Sequence, residues 1–67
     1  MTTIEIYKNG FLWDKVQVQS IYELATEING IIEKNTFRAY FLMDCQKTFK
    51  EGGVYSFDMG DYIKIIK

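Results

Sequence analysis

Asn9-Gly10, set between two runs of alternating apolar and polar residues, constrains this chain more than any other feature. Asparagine and glycine tolerate the left-handed backbone that short hairpin loops need, so Thr3 to Gln17 reads as two strands joined around Lys8-Asn9-Gly10. Two loop geometries compete. They differ by one residue, which turns every side chain of one strand to the opposite face. A two-residue Asn9-Gly10 turn pairs Lys8 with Phe11 and Glu5 with Asp14, and it separates Ile4 and Ile6 from Val16 and Val18. A three-residue loop, with Lys8 and Asn9 in a type I turn and Gly10 in a bulge, pairs Tyr7 with Phe11 and Ile6 with Leu12. The second register gathers Ile4, Ile6, Leu12, Val16 and Val18 on one aliphatic face, interrupted only by Asp14. It sets Thr3, Glu5, Tyr7, Phe11, Trp13, Lys15 and Gln17 on the other face, and it is the expectation carried forward.

Beyond this hairpin, Ser20-Ile21-Tyr22-Glu23 has the form of a capping box, in which the serine oxygen and the glutamate satisfy free amides at a helix start. Ile21, Leu24, Ala25, Ile28, Ile31 and Ile32 then fall on one stripe at helical spacing, with Glu23, Glu27, Gly30 and Lys34 opposite. The expected helix runs from Ile21 to about Lys34 and stops at Asn35; Asn29-Gly30 offers an earlier end. Glu23, Glu27 and Glu33 read as a solvated face.

Thr36 to Asp44 is expected as a strand central in its sheet, because neither the Phe37-Ala39-Phe41-Met43 face nor the Arg38-Tyr40-Leu42-Asp44 face is purely polar. From Cys45 to Gly53 the pattern decays into a strand end and a flexible turn. Val54 to Asp58 and Tyr62 to Lys67 form the last strands around a Met59-Gly60-Asp61 turn, with Tyr62 to Ile66 an exposed edge open to pairing with its own copy.

A chain of 67 residues has room for one core, so residues 1–67 are expected as a single globular domain. The fold class is α+β: a small two-layer sandwich of ββαβββ order, with one amphipathic helix on a mostly antiparallel sheet of four to five strands. The alternative is a small bent β-barrel with one helix, in which the second sheet face also turns inward.

Composition removes several chemistries. The chain has no histidine and one cysteine, so base-activated nucleophiles of the Cys/His kind and Cys/His zinc spacings are excluded within it. Cys45 reads as a half-buried small hydrophobe. Asp44, Asp58 and Asp61 are the candidates for acid/base work or a divalent cation, but Asp58 and Asp61 bracket Met59-Gly60, where aspartate is a good turn residue. The glycines form neither a P-loop nor a dinucleotide fingerprint. The expectation is therefore no catalytic residue, no metal and no cofactor. No apolar run resembles a signal peptide or a membrane span, which points to a cytoplasmic protein without a membrane partner.

One constellation suits binding. If the strand phases hold, Tyr7, Phe11, Trp13, Tyr40 and Tyr62 share the outward sheet face with Lys15, Arg38 and Lys64. Trp, Tyr and Arg are the residues enriched at protein interaction hot spots; rings interleaved with cations also suit stacked bases and phosphates; and rings can simply cover a sheet. A net charge of −1, with Glu5 on the same face, gives little phosphate neutralisation and favours a protein partner. The expected function is a non-catalytic protein-binding module of inhibitor or adaptor type, of the sort a phage or mobile element directs against a host enzyme. The alternative is a single-stranded nucleic-acid-binding module using the same face. A homodimer through an edge strand or the aromatic face fits the same pattern.

Overall fold

The computed structural model describes residues 1–29, 43–58 and 60–67, with the side chains of Asn29 and Asp58 set aside. The first hairpin forms where Asn9-Gly10 places it, from β1 (Thr2–Lys8) and β2 (Phe11–Val18). Its loop is the two-residue one: Lys8 faces Phe11, and Asn9 and Gly10 take φ of 54° and 81°. Two successive left-handed residues make the turn whose twist matches that of the flanking strands. A bulge then shifts the register, so that Tyr7 faces Leu12 while Ile6 faces Asp14 and Ile4 faces Val16. Trp13 is the extra residue, without a partner in β1.

The expected three-residue loop and its Tyr7/Phe11 and Ile6/Leu12 pairs are thus corrected. The expected aliphatic face survives, because the two-residue turn and the extra residue at Trp13 together restore the parity that sets Ile4, Ile6, Val16 and Val18 on one side. Leu12 leaves that face and joins Tyr7.

The helix α1 (Ile21–Asn29) starts at the predicted cap. Glu23 N–H donates to Ser20 Oγ at 3.2 Å, and Glu23 Oε2 accepts from Gln19 N–H at 3.1 Å, one residue before the amide that a standard capping box would serve. Its stripe is buried at Leu24, Ala25 and Ile28 and partly at Ile21. The continuation to Lys34, with Ile31 and Ile32, lies outside the described residues.

So does the expected third strand up to residue 42; its last two residues, Met43 and Asp44, are helical rather than extended. The stretch expected as a decaying strand and flexible turn is also corrected: α2 (Gln46–Glu51) forms there. Phe49 packs on the core from this helix. Gly52, with φ of 88°, ends it by donating its N–H to Thr48 O at 2.7 Å. The rest of the chain is a second hairpin, β3 (Gly53–Asp58) and β4 (Asp61–Ile66).

The described strands make one antiparallel sheet in the order β2-β1-β4-β3. This sheet is open, with β2 and β3 at its edges, which sets aside the barrel alternative. The expected edge at Tyr62–Ile66 is interior instead, held between β1 and β3. Burial explains why: Ile63 and Ile65 are apolar core residues, and they face Ile6 and Ile4 across the β1/β4 seam. One cluster gathers Ile4, Ile6, Val18, Ile63 and Ile65 from the sheet with Leu24, Ala25 and Ile28 from α1 and Cys45. Val16, Tyr55, Phe57 and Phe49 pack at its margin.

The two hairpin turns lie side by side. Gly10 N–H donates to Gly60 O at 2.8 Å, and Asn9 N–H donates to Asp61 Oδ1 at 3.0 Å. A methyl group on Gly60 would stand 3.1 Å from both Asn9 Cα and Gly10 N, so any side chain there would have to push the two backbones apart, and the φ of 84° favours glycine as well.

Candidate interaction surface

Strand register places the outer-face residues in rows across the sheet. Nearest the turns is Leu12–Tyr7–Tyr62–Ser56; next comes Lys15–Glu5–Lys64–Val54; then Gln17–Thr3–Ile66. Leu12, Lys15, Gln17, Val54, Ser56, Lys64 and Ile66 are exposed, and the central β1 positions between them are half-buried.

Within the first row the rings of Tyr7 and Tyr62 stack, with centroids 4.5 Å apart and planes 9° from parallel. Tyr7 OH donates to Glu5 Oε1 at 3.2 Å. Burial first, and then the hydrogen bond and charge of Glu5, hold the Tyr7 phenol above its ordinary value of 10.0. Lys64 Nζ lies 5.2 Å from the centre of the same ring. Glu5 itself stands in register between Lys15 on one strand and Lys64 on the other, so the second row alternates cation, carboxylate and cation.

At the edge of this face, three consecutive large apolar side chains stand in water. Phe11 is 76% exposed, Leu12 52% and Trp13 60%. The bulge produces this cluster: it changes the facing of β2 between Leu12 and Asp14, ending the alternation that would have sent every second residue to the core. Leu12 shares the face of Tyr7, Phe11 that of Lys8, and Lys8 Nζ lies 5.0 Å from the centre of the Trp13 ring.

Of the sequence-predicted residues, Tyr7, Tyr62, Lys15 and Lys64 are brought together on one face. Phe11 is not: opposite Lys8, it belongs to the other side of the strand, because the turn has two residues rather than three. Trp13 stands at the bulge between the two sides, and Arg38 and Tyr40 lie outside the described residues. Leu12, Lys8 and Val54 were missed. Leu12 was assigned to the core by an alternation that the bulge interrupts, and nothing in the residue types marks where a bulge will fall.

The chain was compared with protein-family models, curated proteins and solved structures. It matches none of them.

Of the other candidate groups, Asp61 accepts from the backbone N–H of Asn9, Asp44 is exposed beside α2, and the Asp58 side chain lies outside what is described. Among the described residues no three potential metal ligands come together. Cys45 is wholly buried rather than half-buried, and burial pushes its thiol up to about 12. An open hollow lined by Thr3, Lys15, Val16, Gln17 and Ile66 lies at the end of β1 and β2 away from the turns. Among the described residues no helix is long and apolar enough to cross a membrane.

Proposed function

We propose that this chain is a non-catalytic protein-binding module of inhibitor or adaptor type, acting in the cytoplasm. It docks around the β2 edge, with Leu12 and Trp13 beside the Tyr7, Tyr62 and Lys64 part of the sheet and Phe11 on the other side of the strand. The observation that carries this reading is the run of three exposed apolar side chains on edge strand β2. Exposed apolar clusters rimmed by charge mark interaction surfaces, and tryptophan at their centre is the residue most enriched among energetic hot spots. Lys8, Asp14 and Lys15 supply the rim. Docking uses side chains more than strand addition, since the bulge at Trp13 disrupts the regular edge that an incoming strand would need.

The same rings serve single-stranded nucleic acid poorly. Tyr62 covers one side of the Tyr7 ring, and Lys64 and Lys8 lie against the Tyr7 and Trp13 rings. Glu5 stands between Lys15 and Lys64 and offsets their charge. A base needs an open ring face, and phosphate needs cations that are not already matched.

The test is capture of partner proteins by the immobilised chain and by its Trp13→Ala and Leu12→Ala variants, with folding verified by circular dichroism. Both variants are expected to lose a partner that the parent retains, and retention by both would remove the surface. A titration of Trp13 fluorescence with a mixed-sequence oligonucleotide accompanies it. Quenching at low salt that disappears at high salt would transfer the site to nucleic acid.

A further inference from the structure

The docked turns carry a second, chemical meaning. In an Asn-Gly sequence the backbone nitrogen of the glycine can attack the side-chain carbonyl of the asparagine, and the absence of a Cβ on glycine leaves that approach open. At Asn9-Gly10 the turn is exposed, and nothing stands within 4 Å of where a Gly10 Cβ would be. Bulk on the Cα side of Gly10 therefore does not keep solvent from the turn. The protection comes from hydrogen bonding: Gly10 N–H donates to Gly60 O at 2.8 Å, and the backbone N–H of Asn9 donates to Asp61 Oδ1 at 3.0 Å. The nitrogen must lose its proton to attack, and a proton donated to a carbonyl of the neighbouring hairpin is not free to leave.

We infer that Asn9 is a site of spontaneous deamidation guarded by the second hairpin through Gly60 and Asp61. When the clasp opens, Gly10 N bonds to Asn9 Cγ, the Cγ–Nδ2 bond breaks, and ammonia leaves carrying the Gly10 amide proton. The resulting five-membered imide takes up one water. Opening at Cγ leaves an aspartyl side chain at position 9; opening at the backbone carbonyl routes the main chain through the former side chain.

Either product damages the interaction surface. The first sets a new carboxylate beside Asp61. The second lengthens a two-residue turn whose geometry fixes the pairing of Lys8 with Phe11 and Tyr7 with Leu12. The clasp thus couples the chemical age of Asn9 to the placement of Phe11, Leu12 and Trp13.

The experiment is incubation at mildly alkaline pH and 37 °C, followed by peptide mass mapping of the Asn9 segment and assay of isoaspartate. The folded protein is compared with the same chain in urea and with Asp61→Ala and Asp61→Asn. Because local opening must precede attack, the folded chain is expected to react at least about tenfold more slowly than the unfolded one. Loss of one clasp hydrogen bond in Asp61→Ala is expected to accelerate the reaction about fivefold, while Asp61→Asn, which keeps an acceptor oxygen, stays near the parent rate. Equal rates in folded and unfolded parent would overturn the inference, as would an Asp61→Ala protein that is folded and no faster than the parent. If Asp61→Ala does not fold, the comparison of folded parent with urea decides alone.

Discussion

The two hairpins use the same backbone device and spend it differently. Each closes with glycine second in a two-residue loop, and each carries a register shift close to that loop. In the first the shift falls after the turn, and its extra residue, Trp13, is left in water. In the second it falls before the turn, between Ser56 and Asp58, and the residue at the shift, Phe57, packs on the core with its ring edge-on to Tyr55, 5.2 Å away. A bulge re-aims a side chain. In β3 the residue at the shift stays on the core side with Tyr55, where burial stabilises the fold; in β2 it is left outside, where it adds little to the core. An aromatic that stability does not require is the better candidate for binding.

The largest test of this contrast substitutes the two loop glycines. Their φ values are nearly equal, 81° for Gly10 and 84° for Gly60, yet only Gly60 lies against another backbone. Gly10→Ala should cost about 1 kcal/mol from the left-handed strain alone, and Gly60→Ala about 3 kcal/mol once the clash with Asn9 and Gly10 is added. Urea denaturation midpoints give both values; equal costs would mean that the turns do not touch in solution.

Next in size is the pair of residues at the shifts. Phe57→Ala is expected to lower stability by about 2 kcal/mol, since it removes a half-buried ring from the core margin. Trp13→Ala should stay within about 0.5 kcal/mol of the parent, as exposed positions usually do. A large loss at Trp13 would make it a structural residue and return the interaction surface to the sheet alone.

The pH dependence sharpens the comparison on the side of the second hairpin, where Cys45 and Asp44 both help to hold the Tyr55 phenol up, after burial itself. The folded chain keeps the Cys45 proton from the ordinary value of 9.0 up to about 12, while the unfolded chain releases it. The contribution is fully present below 9.0 and is lost as pH rises towards about 12. By pH 10 the loss should approach about 1 kcal/mol. Tyr7 and Tyr55, raised above 10.0, add to the decline at higher pH. The difference between the parent and Cys45→Ala in alkaline urea titrations isolates the thiol; parallel curves would show that it contributes nothing.

The smallest expected effect joins the hairpins. A double-mutant cycle on Tyr7 and Tyr62, with alanine at each, should give a coupling of about 0.5–1 kcal/mol for the stacked rings. No coupling would leave the β1/β4 seam to its backbone hydrogen bonds and its aliphatic face.

These contrasts also show where the sequence could and could not be read. The facing of Ile4, Ile6, Val16 and Val18 was legible although the loop was misassigned, because a single buried face tolerates only one parity and the observed turn and bulge restore it. The same compensation hid the exposure of Leu12 and the separation of Phe11 from Tyr7. The cap at Ser20 was legible because it is local; the shift of its return bond to Gln19 was not, since it depends on how the chain leaves β2. The helix α2 offered six residues with one large apolar side chain, too few for a period to declare itself. The interior place of β4 is a matter of pairing between residues far apart in the chain, which a strand's own composition does not report. The sharing of one face by Tyr7, Tyr62 and Lys64 followed from alternation within β1 and β4, while Lys15 keeps its place there through the same compensation of turn and bulge.

The strand order β2-β1-β4-β3 has a consequence for the kinetics of assembly. Each hairpin is a local structure that can form within microseconds, but the seam between them pairs Thr3 with Ile66 and Tyr7 with Tyr62, near opposite ends of the described chain. Closing so long a loop sets the slow step, and mutations in the seam should slow folding more than mutations at either turn. During synthesis the first hairpin emerges well before its partner strand β4, with the aliphatic side of β1 uncovered. The chain must therefore tolerate, for a time, a nascent form in which the future core of β1 and the exposed tip of β2 are equally open to other proteins.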